Sequence, residues 1–377
     1  MDILQKIEIL GESAKYDLCG SYLCSCPPRI RGGIDRWIYP AVMPDGKTIF
    51  LLKVLLTNAC ENDCDYCVNR CTRNFPRTSF KPEELAKLFI WLYQKRRVKG
   101  LFLSSAVNQS VAITMEGMLK TAEILRLRYK FRGYIHLKIL PGAEFDYIRR
   151  AAELADRISV NLEAPNKDRL QKITSKKDFD KDILQQMKWI KSLREKETYV
   201  RLGQTTQFVV GAADESDKEI LITTDKLYRE INLTRTYFSA FQPVAGTPLE
   251  RHPPTPLLRE HRLYQTDFLF RRYGFKLEEI TFDNQGNLPL EQDPKTVWAL
   301  YHPERFPLEI NRATKEELLR IPGIGPKSAG RIIQLRSKNR FASLLELKRL
   351  GVVTRRAAPF ILINGKWQEV GRQLRIL

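Results

Sequence analysis

The chain lacks any long hydrophobic run. Its best stretch, Ile49 to Leu56, is broken by Lys53 and falls far short of the roughly 18 apolar residues a membrane-spanning helix needs, so no membrane association is expected. Asp2 and Glu8 stand where a secretory leader would be apolar, so a cytoplasmic protein is expected. Cysteine is scarce, with seven in 377 residues, which excludes a disulfide-stapled scaffold. Several of them are bunched, as metal ligands in a reducing compartment would be. Acidic residues are also in deficit, 44 against 63 basic, for a net charge of +19. The excess is uneven: Glu304 to Leu377 holds 16 basic and 6 acidic residues. A basic terminal module points to a polyanion, with nucleic acid the default partner; a merely solubilising basic face is the alternative. A hydrophobic content of 43% excludes a disordered or collagen-like chain. The length suits one large catalytic domain with an appendage.

The hydrophobic pattern then sets a rhythm. Residues 2–13 read as a short amphipathic helix through Ile3, Leu4, Ile7 and Leu10. A turn-rich stretch follows, from Cys19 to Gly46. Strands are expected over 49–56, 100–105, 134–140, 157–162, 205–210 and 234–241. Helices are expected between them, over 82–97 (with Pro82 near its start), 115–129, 143–155, 167–196 in two pieces, and 217–231. Such alternation predicts an α/β fold with a parallel sheet curled into a full or partial barrel. A Pro-rich segment (243–256), a helix (257–273), a linker (302–307) and a small helical module complete the chain. The expected division is an extension over 1–47, a barrel over 48–242, its completing segment over 243–303, and a terminal domain over 304–377.

The first strand runs directly into Cys60-Glu61-Asn62-Asp63-Cys64-Asp65-Tyr66-Cys67. Three thiolates on one tight loop can hold three irons of a 4Fe–4S cluster and leave the fourth iron open to a small molecule. Cys71 would instead close a four-thiolate zinc site. Two features favour the cluster: zinc ligands usually come as two separated pairs, and barrel enzymes keep their chemistry at the C-terminal ends of strands.

This loop, its strand and the repeating helix–strand units resemble the radical S-adenosylmethionine (SAM) enzymes, whose fold is a partial (β/α)6 barrel. Further segments resemble one subfamily, the DNA modification/repair radical SAM proteins. Among them are Ala14-Lys15-Tyr16-Asp17, Ile38-Tyr39-Pro40-Ala41-Val42, Leu101-Phe102-Leu103-Ser104-Ser105 and Ser159-Val160-Asn161-Leu162-Glu163. Others are His136-Leu137-Lys138, Thr206-Gln207-Phe208-Val209-Val210-Gly211 and Tyr237-Phe238-Ser239-Ala240-Phe241. The resemblance implies a 4Fe–4S cluster on Cys60, Cys64 and Cys67, with Tyr66 beside it. It implies SAM on the open iron, cleaved by one electron to a 5′-deoxyadenosyl radical that abstracts hydrogen from a substrate. An electron donor such as flavodoxin or ferredoxin is implied too.

Other residues suit SAM by chemistry and placement. The family's Gly-Gly-Glu-type motif is replaced by Ser104-Ser105-Ala106-Val107, so the hydroxyls of Ser104 and Ser105 are the candidates for its methionine end. Lys138 suits the carboxylate, and Asn161 and Glu163 suit the ribose; Gln207 is a further candidate. A Lys138–Glu163 pair closing the barrel end is the structural alternative. Cys19, Cys24 and Cys26 form a second group. They are inert thiols, a hydrogen donor near the radical, or, with Cys71, ligands of a second cluster.

In the terminal module, Leu318-Leu319-Arg320-Ile321-Pro322-Gly323-Ile324-Gly325-Pro326-Lys327-Ser328-Ala329 resembles a helix–hairpin–helix. Gly323 and Gly325 are expected at positive φ and Pro326 at the first position of the second helix. That helix start, with Lys327 and Arg331, makes a phosphate site. A weaker copy over 344–357 is expected to pack against the first. The expected function is a radical SAM enzyme that modifies or repairs DNA, with a second repair enzyme as a possible partner. An RNA-modifying enzyme and an iron–sulfur DNA-binding protein without radical turnover are the alternatives.

Overall fold

Six apolar runs become six parallel strands, because each is followed by a helix long enough to carry the chain back. They are β2 (Thr48–Leu55), β3 (Gly100–Ser104), β4 (Tyr134–Lys138), β5 (Arg157–Ser159), β6 (Gln204–Val210) and β7 (Arg235–Ala240), hydrogen-bonded in that order. A seventh strand, β1 (Ile38–Val42), adds antiparallel to the free edge of β2 with Tyr39 opposite Leu51. It lies inside the stretch expected to be turns. The computed structural model describes residues 1–14, 33–42, 46, 48–197 and 199–368. The Cys19, Cys24 and Cys26 group and the Lys15-Tyr16-Asp17 segment lie outside the described residues.

Helices α2 (Pro82–Gln94), α3 (Val111–Glu123), α4 (Phe145–Leu154), α5 (Lys167–Gln171), α6 (Gln185–Glu197) and α7 (Asp217–Glu230) follow the strands. Their starts are written locally. Pro82 takes the first turn of α2, Ser110 caps α3 and Ser216 closes a capping box with Glu219 on α7. Strand alternation then separates two faces. Leu52, Val54, Leu101, Leu103, Ile135 and Leu137 are sealed at 0–1% exposure, as the helix-covered side must be. The opposite face carries Lys53, Phe102, His136 and Arg157 side by side. The result is an α/β partial barrel of six parallel strands plus one antiparallel edge.

The chain divides into two units, Met1–Glu260 and His261–Leu377. Helix α8 (Leu257–Phe268) straddles the division. In the second unit, α9 (Pro294–Tyr301) precedes α10 (Lys315–Arg320), α11 (Pro326–Arg336), α12 (Leu344–Arg349) and α13 (Thr354–Ala357). These pack on a core that includes Ile310, Leu318, Ile321, Ile332, Leu347 and Ile361. A small sheet of β8 (Leu308–Glu309), β9 (Ile361–Ile363) and β10 (Lys366–Trp367) accompanies the helices; the all-helical expectation did not include it. The 302–307 segment lies within this unit, with Trp298 packed against His302 and Phe306 at 4.6 and 6.2 Å. Among the described residues, no helix is long and apolar enough to cross a membrane.

Candidate functional site

The cysteine loop leaves the C-terminal end of β2 and is pinned from several sides. Glu61 N–H donates to the Val107 carbonyl at 2.8 Å, beyond β3, and Asp65 N–H to the Ile173 carbonyl at 2.9 Å. The Asp63 carboxylate accepts from the Thr174 hydroxyl at 2.6 Å and from Ser175 through both hydroxyl and N–H. Burial works against its charge, yet these bonds win and hold its pKa at about 2. Arg77 sits at the centre of the loop. Its guanidinium donates to the carbonyls of Asn58, Asn69, Arg70, Cys71 and Arg73 at 2.7–3.4 Å. Nothing in the local pattern around Arg77 signals this role, because the acceptors are backbone atoms spread over sixteen residues.

Cys60, Cys64, Cys67 and Cys71 are free thiols, with Cys64 buried and the others half-buried. The thiols of Cys60, Cys64 and Cys67 lie near enough to affect one another electrostatically. Burial, then the neighbouring Cys64, pushes the Cys67 thiol up to about 12; burial also raises Cys60. Backbone N–H groups of Asn62 and Asn69 point at the Cys60 and Cys67 sulfurs, each at 3.4 Å, as donors to a thiolate would. Among the described residues, no three His, Cys, Asp or Glu side chains converge as ligands of a single metal ion. Three corners of an iron–sulfur cube stand farther apart than three ligands of one ion. The half-buried thiols with amide donors aimed at two of them suit three thiolate ligands of a cube. Cys60, Cys64, Cys67 and Cys71 do not assemble a closed zinc tetrahedron.

Tyr66, Glu163 and Lys177 gather at the same loop. The Tyr66 hydroxyl and the Lys177 ammonium both lie close enough to Cys64 and to the Glu163 carboxylate to feel their charge. Burial would lower Lys177, but Cys64 and Glu163 outweigh it and hold the ammonium charged. Lys177 lies about 110 residues along the chain from Cys64, and only the fold brings the two together. Glu163 has φ of 67°, a strained conformation for a non-glycine residue. It is held there by its N–H donating to the Gln207 carbonyl at 3.0 Å and its carbonyl accepting from Val209 at 2.9 Å.

Of the other expected SAM-binding residues, Asn161, Glu163 and Gln207 are buried at 5, 8 and 6% exposure, and Lys138 is half-buried at the end of β4. The hydroxyls of Ser104 and Ser105 are buried without a hydrogen-bond partner. Buried polar groups are almost always satisfied, so these two orphans at the end of β3 suit the polar methionine end of a bound cofactor.

In the second unit the hairpin joins α10 to α11. Gly323 has φ of 81°, and an added Cβ would stand 2.5 Å from the Val353 carbonyl. Gly325 departs from expectation: its φ is −101°, because it serves as the N-cap of α11 rather than as a turn residue. Pro326 takes the first turn of α11 as expected, and Lys327 is exposed. The second copy packs on the first: Val353 N–H donates to the Gly323 carbonyl at 2.9 Å, and Ser328 and Arg331 donate to the Leu350 carbonyl. Arg331 is therefore partly spent on this packing.

Residues 54–227 match the family model of the radical SAM superfamily, and residues 307–357 that of the helix-hairpin-helix motif. No curated protein matches the chain. Similar solved structures include the FeFe-hydrogenase maturase HydG from Carboxydothermus hydrogenoformans, with TM-score 0.47 and 12% identity, covering 58% of this chain and 50% of that one. Methylornithine synthase (PylB) gives TM-score 0.46 and 13% identity over 59% of this chain and 62% of that one. A radical SAM methyltransferase from Sphaerobacter thermophilus gives TM-score 0.44 and 14% identity over 60% and 69%. The chain thus spans about half the length of HydG.

Proposed function

We propose, for a chain that carries a radical SAM superfamily domain followed by a helix–hairpin–helix motif, that it is an enzyme whose radical chemistry acts on DNA. Members of the superfamily use a 4Fe–4S cluster and SAM. When bound, the pair supplies a 5′-deoxyadenosyl radical able to take hydrogen from an unactivated carbon. The observation that carries the reading is the Cys60-x3-Cys64-x2-Cys67 loop at the C-terminal mouth of a parallel half-barrel, in a chain whose second unit presents a phosphate-type hairpin.

Within this reading the residues divide the work. Cys60, Cys64 and Cys67 would hold the cluster. Ser104, Ser105 and Lys138 would take the amino and carboxylate groups of SAM, and Asn161, Glu163 and Gln207 its ribose. Arg77 and Asp63 hold the shape of the loop and so set the thiols in place. In the second unit, the start of α11 offers unpaired backbone N–H groups and the positive end of a helix dipole, and Lys327 adds charge. Such contacts grip a DNA backbone without reading its sequence.

The test uses anaerobically reconstituted protein under reduction. Wild type is expected to contain iron and to form 5′-deoxyadenosine from SAM, and Cys64→Ala to lose both. Lys327→Ala is expected to weaken duplex DNA binding severalfold. Bound zinc with no iron, or tighter binding of RNA than of DNA, would defeat the respective half of the reading.

A further inference from the structure

Cations gather at the end of the half-barrel opposite the cysteine loop. The connection from α2 to β3 carries Lys95, Arg96, Arg97 and Lys99. The connection from α3 to β4 carries Arg126, Arg128, Lys130 and Arg132. Residues 95–99 and 124–133 contain no acid. Strands β3 and β4 are parallel neighbours with Gly100 opposite Tyr134, so both connections emerge side by side at the N-terminal ends of their strands. Packing joins them. Tyr93, in the last turn of α2, meets the Phe131 ring edge-on at 5.0 Å, and Phe131 also meets Phe89 at 5.0 Å. The later connections at this end mix signs, with Glu153 and Asp156 before β5, Glu195 and Glu197 before β6, and Glu230 before β7.

Two of these cations are spent within the fold. Arg97 pairs with Asp35. Arg126 pairs with Asp156 at 2.9 Å and donates to the carbonyls of Leu154, Phe131 and Gly133. The rest, Lys95, Arg96, Lys99, Arg128, Lys130 and Arg132, are exposed, and none has an acidic partner or a side-chain hydrogen bond among the described residues. A face that served only solubility would intersperse both signs. The backbone adds a second observation. Arg96 and Lys130 have φ of 55° and 53°. This left-handed position just past a helix end ordinarily goes to glycine or asparagine, yet in both connections a cation fills it. Aromatic rings lie among the charges: Tyr93 and Tyr129 are 44 and 37% exposed, and the Arg128 guanidinium lies 5.8 Å from the Tyr129 ring centre. Cations interleaved with exposed rings suit a nucleic-acid strand, whose phosphates meet the former and whose bases stack on the latter.

We propose that the face formed by Lys95, Arg96, Lys99, Arg128, Lys130 and Arg132 is a second DNA-binding surface, carried by the barrel unit itself. It grips the phosphate backbone at the end of the strands remote from the cysteine loop. The DNA held there is therefore not the reacting nucleotide but a more distant part of the same polymer. Two grips on one polymer act as linked sites, so each raises the effective concentration of DNA at the other. An acidic electron-donor protein is a poorer occupant, because it must approach the cysteine loop at the other end of the strands. The inference rests on the reading above for the identity of the polymer and goes beyond it in placing a binding surface outside the helix–hairpin–helix motif.

The test is fluorescence anisotropy on the full-length, cluster-loaded protein, held anaerobically, with a labelled DNA strand, an RNA strand of the same sequence, and a labelled flavodoxin as the acidic-protein probe. The main variant is the double replacement Arg96→Gly/Lys130→Gly. Glycine takes a left-handed backbone without strain, so its Tm is expected to hold while DNA affinity falls severalfold. The slope of log affinity against log salt is expected to lessen by about two, roughly one for each phosphate contact removed. Should that protein fail to fold, Lys95→Gln/Arg132→Gln, at two exposed positions, decides by the same readings. Lys327→Ala is measured alongside. Unchanged DNA affinity and slope in a folded double variant would overturn the proposal; if Lys327→Ala still weakens binding, the DNA reading stands without it. Loss of flavodoxin binding with DNA binding intact would likewise overturn it. RNA bound more tightly than DNA, and weakened by the double variant, would uphold the face as a nucleic-acid surface and place the failure in the reading that names DNA.

Discussion

Arg77 shows how much one side chain can organise. It closes the cysteine loop by satisfying five carbonyls, a task usually shared among backbone donors. Hydrogen bonds from a charged donor are worth about 1.5–3 kcal/mol each when partly buried, and they are not additive. Arg77→Ala is therefore expected to lower stability by about 2–3 kcal/mol, measured by denaturant unfolding, and to cut the iron content of reconstituted protein by more than half. Gly323 makes the complementary case. Its left-handed backbone and the Val353 carbonyl leave no room for a methyl group. Gly323→Ala is expected to cost about 2 kcal/mol or more and to weaken DNA binding, seen by thermal melting and by titration with a duplex.

Helix α9 carries an element-scale device. Its Lys295 is only 7% exposed and donates to the Ile324 carbonyl at 2.6 Å, inside the helix–hairpin–helix loop, with the Tyr273 ring 4.7 Å away. Burial is the main cause that lowers its pKa to about 7; Asp293 opposes the shift, and Arg356 and Arg320 add to it. The unfolded lysine titrates near 10.5. Between these two values the unfolded chain holds the extra proton, so this group makes stability rise as pH climbs from about 7 toward 10 and leaves it flat below. Relative to Lys295→Met, which lacks the titrating group, wild type is expected to gain in Tm from pH 7 to pH 9, and a pH-independent difference between the two proteins would refute the assignment.

At the scale of the whole molecule, charge bears on the proposed DNA binding. The net charge of +19 is concentrated toward the end of the chain. Binding that rests on phosphate contacts releases counterions and so weakens steeply with salt. Three or four such contacts predict a loss on the order of a hundredfold in DNA affinity between 50 and 200 mM salt. A shallow dependence, read by fluorescence anisotropy, would mean that the basic surface serves solubility instead.

Much of the fold is legible in the sequence. The six strand runs, the crossover helices, Pro82 and Pro326 at helix starts, and the Cys60, Cys64 and Cys67 loop are local signals, written in neighbouring residues through spacing, alternation and fixed backbone preferences. Strand β1 escaped because Pro40 and the surrounding turn residues hide a short edge strand. The φ of Gly325 is not legible locally, because glycine permits both a turn and an N-cap. Only tertiary structure put Lys177 at Cys64, gave Arg77 its five carbonyls and aligned Lys53, Phe102, His136 and Arg157 across four strands of the sheet. Those groupings depend on strand register and barrel curvature, which place residues from distant parts of the chain side by side, and no local pattern encodes that.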